Sequence, residues 1–170
     1  ATVAYQSGMP ASRQAVSRTL DLLERQGPPP PGRAPGLDLN ALRLWIRASA
    51  DPIGSRNQLL PCLREITGSP IEEPSLWRIA STAWLLDESD LAITLLQDAM
   101  QRLRAPGVRG TSGGSLTVLG WAYIDTGRWD EALDVAAEAA GLAEANQMEL
   151  VAASADVITA TVLALRADSG

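Results

Sequence analysis

The chain repeats itself at a fixed interval. LWRIASTAWLLDESDLAITLLQDAM, starting at Leu76, and LTVLGWAYIDTGRWDEALDVAAEAA, starting at Leu116, align without a gap at an offset of 40 residues. Small residues coincide, Ala80 with Gly120, Ala92 with Ala132 and Ala99 with Ala139, and the bulky Ile79 and Leu119 coincide as well. One further step of 40 sets Ala160 under Gly120. A period of this length marks a chain built from stacked units, none of which can bury its apolar face alone. Inside each unit the apolar residues recur at helical spacing, and no segment alternates apolar with polar residues over more than a few positions, so the expected class is all-α.

Stretches rich in Gly and Pro divide the apolar blocks into helix pairs. Helices are expected over 37–50 and 56–67, split at DPIG, with Pro61 blurring the start of the second. The next pair, 74–86 and 89–104, is split by DES, where Asp87 or Ser89 can act as N-cap. A third pair, 115–125 and 129–145, is split by DTG, and a last helix is expected over 148–166. The resulting plan is one repeat domain over 1–170, with hairpins 1–26, 37–67, 74–104 and 115–145 and a partial unit 148–170, read as a fragment of a longer protein. GPPPPGRAPG, 27–36, reads as a linker with polyproline character.

The stretch WAYIDTGRWDEAL, 121–133, poses the functional question most directly, because it concentrates Trp121, Tyr123 and Trp129 around a turn. Much of it is fastening. Gly120 and Ala132 let two helices approach closely, Gly127 can take a positive φ after the first helix, and Tyr123 and Trp129 are placed to fill the space between the pair.

Composition removes whole classes of chemistry. Histidine is absent and Cys62 is the only cysteine, so disulfide frameworks, Cys/His zinc sites and histidine acid–base catalysis are excluded. Cys62, in a Leu-rich helix, is expected to be a buried small apolar residue. No metal site, cofactor or catalytic residue is expected, and the chain is read as a non-enzyme. All fourteen cations are Arg, and the net charge is −6. Residues 111–170 hold two Arg against nine acids, a poor match for a phosphate backbone, so direct nucleic-acid binding is not expected. No apolar run approaching eighteen residues and no leading signal segment stand out, which suggests a cytoplasmic location without membrane contact.

Leu116, Leu119, Gly120, Tyr123, Gly127, Trp129, Ala132 and Ala139 fall at the spacing of the tetratricopeptide consensus. Ala136 stands where that consensus has a bulky residue, and the closing Pro is missing. The longer period resembles the variant found in MalT-like regulators. ALRLWIRASADPIG, AWLLDESDLAITLLQDAMQRLRAPGVRG and LGWAYIDTGRWDEALDVAAEAAGLAEA are similar to the central helical region of large ATP-binding LuxR-family regulators of actinobacterial type. The resemblance implies a right-handed superhelical solenoid of antiparallel helix pairs that senses a small-molecule inducer or a regulatory protein. The event would be passed to NTPase and helix-turn-helix modules absent from this segment, which has neither a phosphate-binding Gly-Lys motif nor a basic recognition helix.

In that family the first helix of each pair lines a groove through the fifth, ninth and twelfth repeat positions. Taking Leu76 and Leu116 as position four, these are Trp77, Ser81 and Trp84, then Thr117, Trp121 and Ile124. The same tryptophans can equally be packing between repeats. Arg102, Arg104 and Arg109 could grip an anion or an acidic neighbour, or simply solvate a loop. Glu72 and Glu73, and Asp130, Glu131 and Asp134, read first as residues favoured at helix N-termini and second as a partner surface. A different class of function stays open beside sensing: an architectural or self-associating scaffold.

Overall fold

The structure, a computed structural model, describes residues 39–67, 73–103 and 113–168, together with the helical positions 18, 19, 21, 22 and 25. The hairpin expected over 1–26 falls almost wholly outside these residues, as does the linker 27–36. Among the described residues every regular element is a helix, so the chain is all-α. Seven helices follow in order: α1 (Leu39–Ala50), α2 (Pro52–Thr67), α3 (Glu73–Leu85), α4 (Ser89–Leu103), α5 (Gly113–Asp125), α6 (Trp129–Asn146) and α7 (Glu149–Asp168). They fall into two compact units, Ala1–Asp87 and Glu88–Gly170.

In the first unit α1 packs on both α2 and α3. Ala41, Leu44 and Ala48 of α1, spaced i, i+3 and i+7, are buried, as are Leu59 and Leu63 of α2 and Leu76, Ile79, Ala80 and Ala83 of α3. The Arg56 Nε–H, near the start of α2, donates to the Leu86 carbonyl just beyond α3 at 2.8 Å.

Helix α2 begins four residues earlier than expected, and the reason is local. Asp51 caps it, its Oδ1 accepting the Gly54 N–H at 2.8 Å, and Pro52 occupies the first helical position, where a missing N–H costs nothing. DPIG is therefore a helix start rather than a break. Pro61 lies inside the helix without ending it. Cys62 is exposed, contrary to expectation, because the buried stripe of α2 runs through Leu59 and Leu63 and leaves Cys62 beyond its edge.

In the second unit α5 packs on α4 and α6, and α7 packs on α6 and α5. Gly120 decides how closely α7 can lie. A Cβ at that position would come within 2.8 Å of Ile158 Cδ1 on α7 and 3.4 Å of Val135 Cγ2 on α6. Gly113, seven residues earlier, would likewise meet Val151 Cγ2 at 2.7 Å. Two turns of α5 thus expose bare backbone to two branched side chains of α7, themselves seven residues apart.

The interval of 40 read from the sequence recurs in the backbone. Asp87 N–H bonds to the Trp84 carbonyl at 3.0 Å and Gly127 N–H to the Ile124 carbonyl at 3.0 Å, while Ala92 bonds back to Glu88 and Ala132 to Arg128, each at 3.0 Å. Asp87 has φ 63° and Gly127 φ 74°. Each member of the aligned pairs Leu76/Leu116, Ile79/Leu119, Ala92/Ala132 and Ala99/Ala139 is buried. The third copy departs from this pattern, because Ala160 is exposed where Gly120 is buried.

These turns also correct the expected N-cap. Asp87 does not open α4. It closes α3 in the left-handed conformation, and Ser89 is the first residue of α4, its hydroxyl turned to donate to Asp125 Oδ2 at 3.3 Å. Since Gly takes this conformation without a Cβ penalty, Asp87→Gly should stabilise the protein by up to about 1 kcal/mol, offset in part by a freer unfolded chain. Gly127→Asp should do the reverse. Thermal melting of the two variants checks the opposite signs.

Helix α7 has one buried stripe, Val151, Ala155, Ile158 and Val162, while Leu150, Val157 and Leu163 are more than half exposed. Over Glu149–Ala167 its mean hydropathy is 1.6, long and apolar enough to cross a membrane by length and composition. That corrects the expectation of no such run. Asp156 and Arg166 break its apolar sequence without lowering its average enough to matter.

Candidate functional site

Three of the six residues singled out for a groove, Trp77, Ser81 and Thr117, are engaged in helix packing or in bonds to their own helix. Trp77 is half-buried. Its ring meets the edge of Trp45 on α1, centroids 5.3 Å apart and planes at 66°, and the Arg78 guanidinium lies 5.0 Å from its centroid. Ser81 is buried and its hydroxyl donates to the Trp77 carbonyl at 2.6 Å. Trp84 is half-buried.

In the second unit Thr117, Trp121 and Ile124 are all half-buried and share one face of α5, with the Thr117 hydroxyl donating to the Gly113 carbonyl at 3.0 Å. Arg102 belongs to α4, whereas Arg104 and Arg109 lie outside the described residues, as does Glu72. The fastening role read into Tyr123 holds, since it is 4% exposed; Trp129 is half-buried.

The opposite face of α5 carries a cleft that the sequence reading did not single out. It is an open cleft of about 580 Å³ among three helices. Helix α4 contributes Thr94, Gln97, Asp98 and Gln101, spaced so that they share one face, together with Met100. Helix α6 contributes Glu131, Asp134, Val135 and Glu138, again at i, i+3, i+4 and i+7, and α5 contributes Leu119 and Tyr123. Met100, Leu119 and Val135 are buried and give the cleft an apolar floor beneath a polar rim.

Tyr123 organises this cleft. Its hydroxyl accepts the Gln97 Nε2–H at 2.8 Å, joining α4 to α5. On the other side the Arg128 guanidinium stands 4.5 Å from the ring centroid and donates through Nε to Glu131 Oε1 at 3.0 Å. The Arg128 backbone N–H meanwhile bonds to the Tyr123 carbonyl at 2.8 Å, so the turn and the rim are fixed by one residue. Bonding to its own backbone N–H at the start of α6, and then Arg128, hold the Glu131 carboxyl below its ordinary range. The ion pair is therefore present at neutral pH and is lost as the pH falls through that lowered value.

Glu131 and Asp134, which the sequence offers with Asp130 as an acidic set, line the cleft. Their alignment with Glu138 on a single face is the spacing that separates a wall from a solvated N-terminus. Among the described residues no group of carboxylates or thiols is arranged to hold a metal ion. The chain matches no family model, no curated protein and no solved structure.

Proposed function

We propose that the chain is a tetratricopeptide-like helical-repeat module that binds a small-molecule inducer or a regulatory protein in the cytoplasm. On this reading it belongs to the central solenoid of a LuxR-family regulator and passes the binding event to neighbouring NTPase and helix-turn-helix modules, itself carrying no catalysis. The observation that carries the repeat reading is the recurrence, at an interval of 40, of the same buried positions and turn hydrogen bonds. Stacked helix pairs create clefts between units, and such clefts are where repeat proteins bind.

The test is a small-molecule screen by thermal shift, followed by tryptophan fluorescence. A compound that raises the melting temperature supports sensing, and variants locate it: loss of binding in Trp121→Ala assigns the tryptophan face of α5, loss in Asp134→Asn assigns the cleft. The second reading, a self-associating scaffold, draws on Leu150, Val157 and Leu163, apolar residues more than half exposed on the two flanks of the buried stripe of α7. Light scattering decides for it if the protein is a stable dimer that binds no compound.

A further inference from the structure

We propose that the cleft of α4, α5 and α6 selects a small organic cation with an apolar body, of the alkylguanidinium type. The inference rests on the reading of the chain as a binding module and names the chemistry of its ligand. Three observations lead there. The open cleft, with a volume of about 580 Å³, suits a small organic molecule and is floored by Met100, Leu119 and Val135, which would take an alkyl chain. The rim brings in carboxylates from two helices, Asp98 from α4 and Glu131, Asp134 and Glu138 from α6, beside one adjoining cation, Arg128, which is paired with Glu131. Finally, the cleft already accommodates this chemistry at one end, where the Arg128 guanidinium stacks on Tyr123 and bonds to Glu131.

A second guanidinium entering beside Asp134 would meet the same kind of partner, a carboxylate offering charge-assisted hydrogen bonds above an apolar surface. A ligand with the same tail and a carboxylate head would meet that rim with like charge. Selection therefore lies in the head group, and affinity in the tail.

The experiment titrates the full 170-residue protein with octylguanidinium, octanoate and octanol by calorimetry, and follows the Gln97 side-chain amide and Tyr123 by NMR. Octylguanidinium should saturate, shift both resonances, and bind at least about tenfold tighter than octanoate, the size of one charge-assisted hydrogen bond. Asp134→Asn, at an exposed position that the fold does not depend on, should weaken it by about the same factor; Glu131→Gln is the second variant. If octanol or octanoate shifts Gln97 and Tyr123 as strongly as the cation, charge selection is wrong although the cleft still binds. If octylguanidinium binds undiminished in both variants, its site is elsewhere and the inference fails. Should none of the three perturb those residues, the cleft is no binding site and the inference fails, while the recurrence that carries the repeat reading stands.

Discussion

Ile158→Ala is expected to destabilise the second unit by about 4 kcal/mol, in the upper part of the range for emptying a buried Ile position. Ile158 is fully buried, and its Cδ1 lies against Gly120, where the opposing surface is backbone rather than side chain. Backbone cannot fold into the space left behind, so the void persists and its cost is added to the lost transfer energy. Urea denaturation should show a lower midpoint with an unchanged slope.

The partner position makes the argument sharper. In the natural chain Gly120→Ala forces a Cβ to within 2.8 Å of Ile158 Cδ1, which has to swing aside, and this offsets the gain of about 1 kcal/mol that Ala brings to a helix interior. In the Ile158→Ala background the collision is gone, the methyl fills part of the void, and the helix gain appears in full. The double variant should therefore be more stable than Ile158→Ala alone. Equal effects of Gly120→Ala in both backgrounds would mean that this contact does not hold α7 to α5.

Tyr123→Ala is the second large effect, about 3–5 kcal/mol by analogy with removal of a buried aromatic ring. The ring is almost wholly buried, supports the Arg128 guanidinium and forms part of the cleft wall. Tyr123→Phe should cost about 1 kcal/mol or less, because it removes only the bond from Gln97, which sits at the surface and can turn to water. The ratio of the two losses, read from chemical denaturation, separates the ring from its hydroxyl. A Phe variant as damaged as the Ala variant would mean that the hydrogen bond between α4 and α5, rather than burial, holds the wall in place.

Much of the fold could be read because its causes are local. Apolar residues at helical spacing, the glycine after Asp125-Thr126 and the interval of 40 each act within a few residues of themselves, and the helices and turns of 73–103 and 113–168 follow them closely. The start of α2 is less legible, because Pro52 reads as a helix breaker, whereas Asp51 before it turns the same dipeptide into a cap. Residue type alone buries Cys62, and its phase on the helix exposes it.

The cleft was hidden for a different reason. Gln97, Tyr123 and Asp134 come from three helices, and their convergence depends on how those helices pack, which the spacing within any one of them does not express. The tryptophan face and the cleft occupy opposite sides of α5, so spacing within the helix predicts both sides equally and ranks neither.

The recurring turn has a consequence for how such a chain can change in length. A join made at equivalent points of the turns at Asp87 and Gly127 brings together the same donors and acceptors, because the hydrogen bonds on either side are repeated. Gain or loss of a whole period leaves every later helix with its apolar stripe pointing as before. An insertion within a helix that is not close to a whole number of turns rotates all that follows it, by about 100° for each added residue, and the buried stripe turns toward water. Of the lengths that keep the stripe in phase, the interval of 40 between Asp87 and Gly127 is the one that also repeats the turn.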